Sequence, residues 1–308
     1  SGTGTTINGS GISPDNLTIS GTVSTSSALA IMGNLTVSGS FTSGATIFAM
    51  IGASKTISGT GTISFSTLSI PGSVTTNANF SVSSALAVNG SLSATAGTAT
   101  FTGTSSLSGT ANLFNTTVNG TSLQLTANSN LGVAGVLTIT AGILNVTTTA
   151  PNTVNFNSTG AQDINAITYS NLTLSNGNGK TALAALTVNN SLTIGSGTTF
   201  IPGAFTHSIY GDWNNSGIFT AGTSTIQFLG SQNSNISGAT TFNQLTVNKA
   251  NASIALILQN NVSVSTANMT TGTLLAGTNT LTITTTRTGS GKMLGYIQRT
   301  HLFTTGVP

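Results

Sequence analysis

The side chains able to carry chemistry are few, and three of them stand close together. His207, Asp212 and Trp213 share one short segment. An indole can stack on a sugar ring while a carboxylate accepts hydrogen bonds from its hydroxyls, so this trio is the candidate glycan site. The same residues also fit a packing role, with Trp213 filling the core, Asp212 bonding in a turn and His207 on a strand face. The chain's three acids, Asp15, Asp163 and Asp212, are widely separated, and there is no Glu. Paired glycosidase carboxylates must come within about 5–10 Å of each other, which this spacing does not favour. With two His and no Cys, a structural zinc set is not expected. The Asp residues also lack the regular spacing of calcium-binding repeats. Glycine strings such as Gly59-Thr60-Gly61 have no Lys or helix after them and read as turns. No catalytic residue, metal or cofactor is therefore expected.

The cations are Lys55, Lys180, Lys249, Arg287, Lys292 and Arg299. The first three are scattered, and no cluster before residue 287 could release counterions from a nucleic acid. Arg287, Lys292 and Arg299 gather near the end with His301. They are the candidate contact to a partner or a neighbouring subunit, or a charged cap that blocks edge-to-edge strand pairing.

Whatever these residues do, the elements that position them are strands. Apolar and small polar residues alternate throughout, as in Leu35-Thr36-Val37, Leu192-Thr193-Ile194 and Leu281-Thr282-Ile283. This period of two is the strand signature, and branched Thr, Val and Ile suit a pleated surface. Gly and Asn-Gly punctuate the runs as turns require. No apolar run approaches the length of a membrane helix.

A repeat is present. Four segments share one order of features, closing on the aromatics Phe65, Phe114, Tyr169 and Phe242. Three of the four carry an internal Ser-Gly, at Ser58-Gly59, Ser108-Gly109 and Ser237-Gly238. Within the segments, strands of the Leu-Thr-Val type return after about 17–20 residues. A solenoid accommodates such irregular units because each coil contacts only its neighbours. The expected fold is all-β, an elongated parallel β-helix over residues 1–286, followed by a terminal cap or module junction over 287–308. About fifteen coils would make a rod of roughly 70 Å. A string of β-sandwich domains would need linkers and a large aromatic core in each domain, and neither is visible.

Composition agrees. Only 3% of residues are charged, and Ser, Thr, Asn and Gly make up more than half of the chain. Equivalent residues on stacked rungs lie about 4.8 Å apart, where like charges repel and Asn, Ser and Thr can bond along the stack.

The segment Gly211-Asp212-Trp213-Asn214-Asn215-Ser216-Gly217-Ile218-Phe219-Thr220-Ala221-Gly222-Thr223, with Phe242-Asn243-Gln244-Leu245-Thr246-Val247 after it, resembles the Gly/Thr/Asn-rich repeats of large secreted surface proteins of Bacteroidota-type bacteria. Many of these are exported by type IX secretion. The resemblance implies a right-handed β-helix at the cell surface or in an extracellular fibre, with a structural or adhesive role, and an aromatic at Trp213 that serves packing. Gly295-Tyr296-Ile297-Gln298-Arg299-Thr300 is similar to the close of such solenoids, where a further module follows, so a longer parent protein is expected. The functional expectation is a filament subunit growing head to tail, or an adhesin stalk, without catalysis. The partners expected are other copies of the chain and surface or matrix polysaccharide, with no nucleic acid and no membrane insertion. The alternative is a glycan-binding module, or an ice-binding one built on rows of Thr-x-Thr.

Overall fold

A computed structural model describes residues 4–7 and 15–300. Every paired strand among them runs parallel to its neighbours, and no helix occurs among the described residues. The chain winds into stacked coils, a β-solenoid, and divides into two compact units at residues 158 and 159.

In the first unit, alternation sets which side chains enter the coil. Leu29, Phe48, Leu68, Leu86, Leu107 and Leu125 stack as one inward row on successive rungs, and all are buried. A second row runs through Phe65, Val82, Phe101 and Val118. The rings of Phe41, Phe48 and Phe65 meet with centroids 5.2–6.0 Å apart, a spacing at which ring edges and faces attract. The outward row on one side is Ser24, Thr42, Ser64, Ser81, Thr100 and Thr117. Its hydroxyls bond along the stack, as in Ser81 to Ser64 at 3.0 Å.

The second unit repeats the plan. Leu172, Leu192, Trp213, Ile236 and Leu258 form one inward row. Tyr169, Val188, Ile209, Phe228, Val247 and Met269 form another. A smaller four-stranded parallel sheet comprises Gln162–Ile164, Asn178–Ala182, Thr198–Ile201 and Ile218–Phe219.

Several coils are longer than 17–20 residues. Leu35 pairs with Ile57 and Trp213 with Ile236. The extra residues sit in corners such as Gly52–Ser54 and Gly230–Asn233, where added length does not disturb the stacked strands. Of the four repeat-closing aromatics, Phe65, Tyr169 and Phe242 are buried. Phe114 is half-buried at a corner between strands Thr104–Leu113 and Asn115–Leu125.

The Ser-Gly element of the repeat has a steric cause. Gly59, Gly109 and Gly238 all have positive φ. A Cβ on them would lie 1.9, 1.7 and 1.8 Å from the carbonyl oxygens of Val37, Val88 and Asn215. These corners need both left-handed backbone and close approach to the preceding rung, which only Gly permits.

Candidate functional surfaces

The glycan-site trio is built into the interior. Trp213 enters the core from strand Asp212–Asn215 and has no exposed surface. Its ring meets Phe219 at 4.8 Å, Phe242 at 5.3 Å and Phe200 at 6.4 Å. The indole Nε1 donates to Thr240 Oγ1 at 3.3 Å, and Asn215 Nδ2 donates to the same oxygen at 3.1 Å. A buried indole has no face for a sugar, which corrects the glycan reading of Trp213, Asp212 and His207.

His207 is also fully buried. Its Nδ1 accepts from the Leu186 amide at 3.1 Å, and Nε2 lies 2.9 Å from the Pro202 carbonyl. These two contacts specify the neutral ring with its proton on Nε2. Burial pulls its pKa below the usual histidine value, although the bond to Pro202 opposes this.

Asp212 stays at the surface side of its strand and accepts from the Asn235 backbone amide at 2.7 Å and from Asn235 Nδ2 at 3.1 Å. Asn residues do the same at Asn16 to Asn34, Asn34 to Thr56, Asn79 to Thr98, Asn115 to Val136, Asn171 to Ser191 and Asn261 to Thr280. In each case the side-chain oxygen reaches one coil onward to a backbone N–H, and the acceptor residue directly precedes a strand's first inward residue. Asp212 is thus one member of a structural ladder. Its signal in the sequence is an Asn directly before Leu17, Leu35, Phe80, Leu172 and Val262.

Two lysines that carry no such signal in the sequence are buried in the coil. Lys180 Nζ donates to the Gly160 carbonyl at 3.1 Å. Lys249 Nζ donates to Leu229 O at 2.7 Å and Ser234 Oγ at 2.6 Å. Burial lowers both pKa values, that of Lys249 to about 8 against the pull of the Asp212 charge. A lysine beside a serine is a known means of activating a nucleophile. Ser234, however, has no exposed surface, so no substrate reaches it, and the pair serves to satisfy a corner of the coil.

The terminal cations do not converge on one site. Arg287 lies in the inward row after Ala267 and donates to the carbonyls of Gly289 and Gly291. Lys292 and Arg299 are exposed at opposite ends of strand Lys292–Arg299. That strand extends the parallel pairing as far as Ile283↔Arg299. His301 lies outside the described residues.

One open groove has the composition of a polar ligand site. It encloses about 400 Å³ and is lined by Thr241, Asn261, Ser263, Thr280, Thr282 and Gln298 among others. Tyr296 pairs with Thr280 on the same face and is 66% exposed. No group of three or more His, Cys, Asp or Glu that could hold a metal occurs among the described residues. Comparison with protein families, with curated proteins and with solved structures finds no match to this chain.

Proposed function

We propose that the chain is a structural extracellular protein, a β-solenoid filament subunit or the stalk of a surface adhesin, and that it carries no catalysis. One observation carries this reading. The groups that could do chemistry, His207, Asp212, Lys180 and Lys249, each commit a hydrogen bond to a neighbouring coil. Support also comes from the uncharged hydroxyl and amide rows, which suit repetition better than selective ligand capture. The resemblance to secreted Bacteroidota-type surface repeats points to the cell surface and to type IX export. Electron microscopy and light scattering of concentrated protein test filament growth, and protease shaving of intact source cells tests surface display. Protein that stays monomeric and is not cleaved from the cells refutes both forms of the proposal.

A second reading, binding of a neutral saccharide, is favoured by the groove beside Tyr296. An exposed phenol ring can stack on a sugar while Gln298, Thr282 and Asn261 exchange hydrogen bonds with its hydroxyls. Affinity electrophoresis in gels containing neutral polysaccharides tests it. Retardation that disappears in Tyr296→Ala supports the reading, and unchanged mobility sinks it.

A further inference from the structure

Along most strands an inward apolar residue alternates with outward Ser, Thr or Asn. Two neighbouring strands of the first unit, Leu29–Ile31 and Ile47–Met50, break this rule. The runs Ala28-Leu29-Ala30-Ile31-Met32 and Ile47-Phe48-Ala49-Met50-Ile51 are apolar at every position. Leu29, Ile31, Phe48 and Met50 are buried in the coil, while Met32 and Ile47 are 51% exposed and Ile51 41%. The register sets Ala30 against Ala49, so the outward Ala28, Ala30 and Met32 lie beside Ile47, Ala49 and Ile51. On the next rung Thr67 and Ser69 face outward together with Pro71, and on the rung after it Ala85 and Ala87, so the unbroken apolar face is that of the two strands. Strands that are apolar on both faces are those of sheets covered on both sides.

We propose that this face packs against the same face of a second copy of the chain. Its centre is alanine, which lets two sheets approach closely, and bulkier Met32, Ile47 and Ile51 surround that centre. Charge selects the occupant. Two of the chain's nine charged residues border the patch beyond Met32 and Ile51. Asp15 is exposed next to Gly33, and the Lys55 arm lies over Gly52. One acid and one base on the same rim, on different rungs, are self-complementary. A two-fold axis that sets Leu29–Ile31 of one copy on Ile47–Met50 of the other carries each Asp15 toward the partner's Lys55, the reciprocal pattern of an isologous contact. Two rungs about 4.8 Å apart and five residues about 3.3 Å apart give a face of roughly 160 Å². That is below the roughly 800 Å² per partner of a stable complex, so the pair is weak and needs trapping.

The chain has no Cys, which makes trapping specific. Ala30→Cys and Ala49→Cys proteins, mixed and oxidised, should form covalent dimer several-fold faster than Thr100→Cys mixed with Thr117→Cys from the hydroxyl row. Asp15→Lys in both Cys proteins should cut the yield several-fold, and adding Lys55→Asp should restore it. Circular dichroism melts verify that each variant is folded. Cross-linking no faster than the hydroxyl-row control overturns the proposal. So does a yield that ignores Asp15→Lys or fails to recover with Lys55→Asp. Neither readout depends on end-to-end growth, so filament formation and this lateral contact can fail separately.

Discussion

Replacing Trp213 with Ala removes the largest fully buried side chain in the protein. Truncating a buried aromatic to Ala costs about 3–5 kcal/mol, including the cavity left behind. The indole also loses edge contacts to Phe219 and Phe242, each worth about 0.5–1.5 kcal/mol beyond area burial. Thr240 Oγ1 keeps its donor from Asn215, so no orphaned acceptor adds to the loss. Partial overlap of these effects gives an expected cost of about 4–5 kcal/mol, against a typical total stability of about 5–15 kcal/mol. Trp213→Phe should cost only about 1–2 kcal/mol, since most of the apolar contact survives. Because stacked coils can open locally, the assay is guanidinium denaturation by far-UV dichroism combined with amide hydrogen exchange. Lost protection should centre on strands Ser191–Ile194, Asp212–Asn215 and Ser234–Ser237, which share the Trp213 row. A cost under about 1 kcal/mol would refute the packing argument, as would lost saccharide binding at unchanged stability.

Asp212→Asn keeps an acceptor for the Asn235 amide and should leave stability nearly unchanged, while Asp212→Ala should cost about 1–3 kcal/mol in chemical denaturation. The lowered pKa of Lys249 means that the unfolded chain binds more protons than the folded one between about pH 8 and the usual lysine value. Stability measured by thermal melts should therefore rise from pH 8 toward pH 10, and Lys249→Met should flatten that rise. Above pH 10 the buried Tyr169, whose pKa burial raises, should reverse the trend, because only the unfolded phenol ionises there. His207 works on the acid side. With its folded pKa below the usual value, melting temperature should drop as pH falls below about 6.5, and less so in His207→Gln. Gly109→Ala puts a methyl 1.7 Å from the Val88 carbonyl at positive φ and should cost roughly 3 kcal/mol in denaturant titration, whereas Gly4→Ala, also at positive φ but with nothing within 4 Å, keeps only the backbone strain and should cost about 1 kcal/mol.

Much of the architecture was legible because β-structure writes its burial into every second residue. Leu35, Val37, Leu192 and Ile194 could be assigned inward from alternation alone, and all are buried. The Ser-Gly of the repeat was visible, but its cause was not. The clash with Val37, Val88 and Asn215 belongs to the preceding rung, and rung register is a long-range property. In the sequence Lys180 and Lys249 are only scattered cations, because nothing local reveals that a lysine's neighbours offer carbonyl oxygens inside the coil.

Composition, period and repeat by themselves determined that this chain is all-β, built of stacked parallel coils and nearly free of charge. Those are properties of short segments and of repetition. Tertiary structure alone decided where the scarce functional groups went. His207, Asp212 and Trp213 look alike as a cluster in sequence, yet the coil turns two of them inward and gives the third to the Asn ladder. The same winding brings the apolar runs Ala28–Met32 and Ile47–Ile51 side by side, since a face exists only once separate rungs are in register.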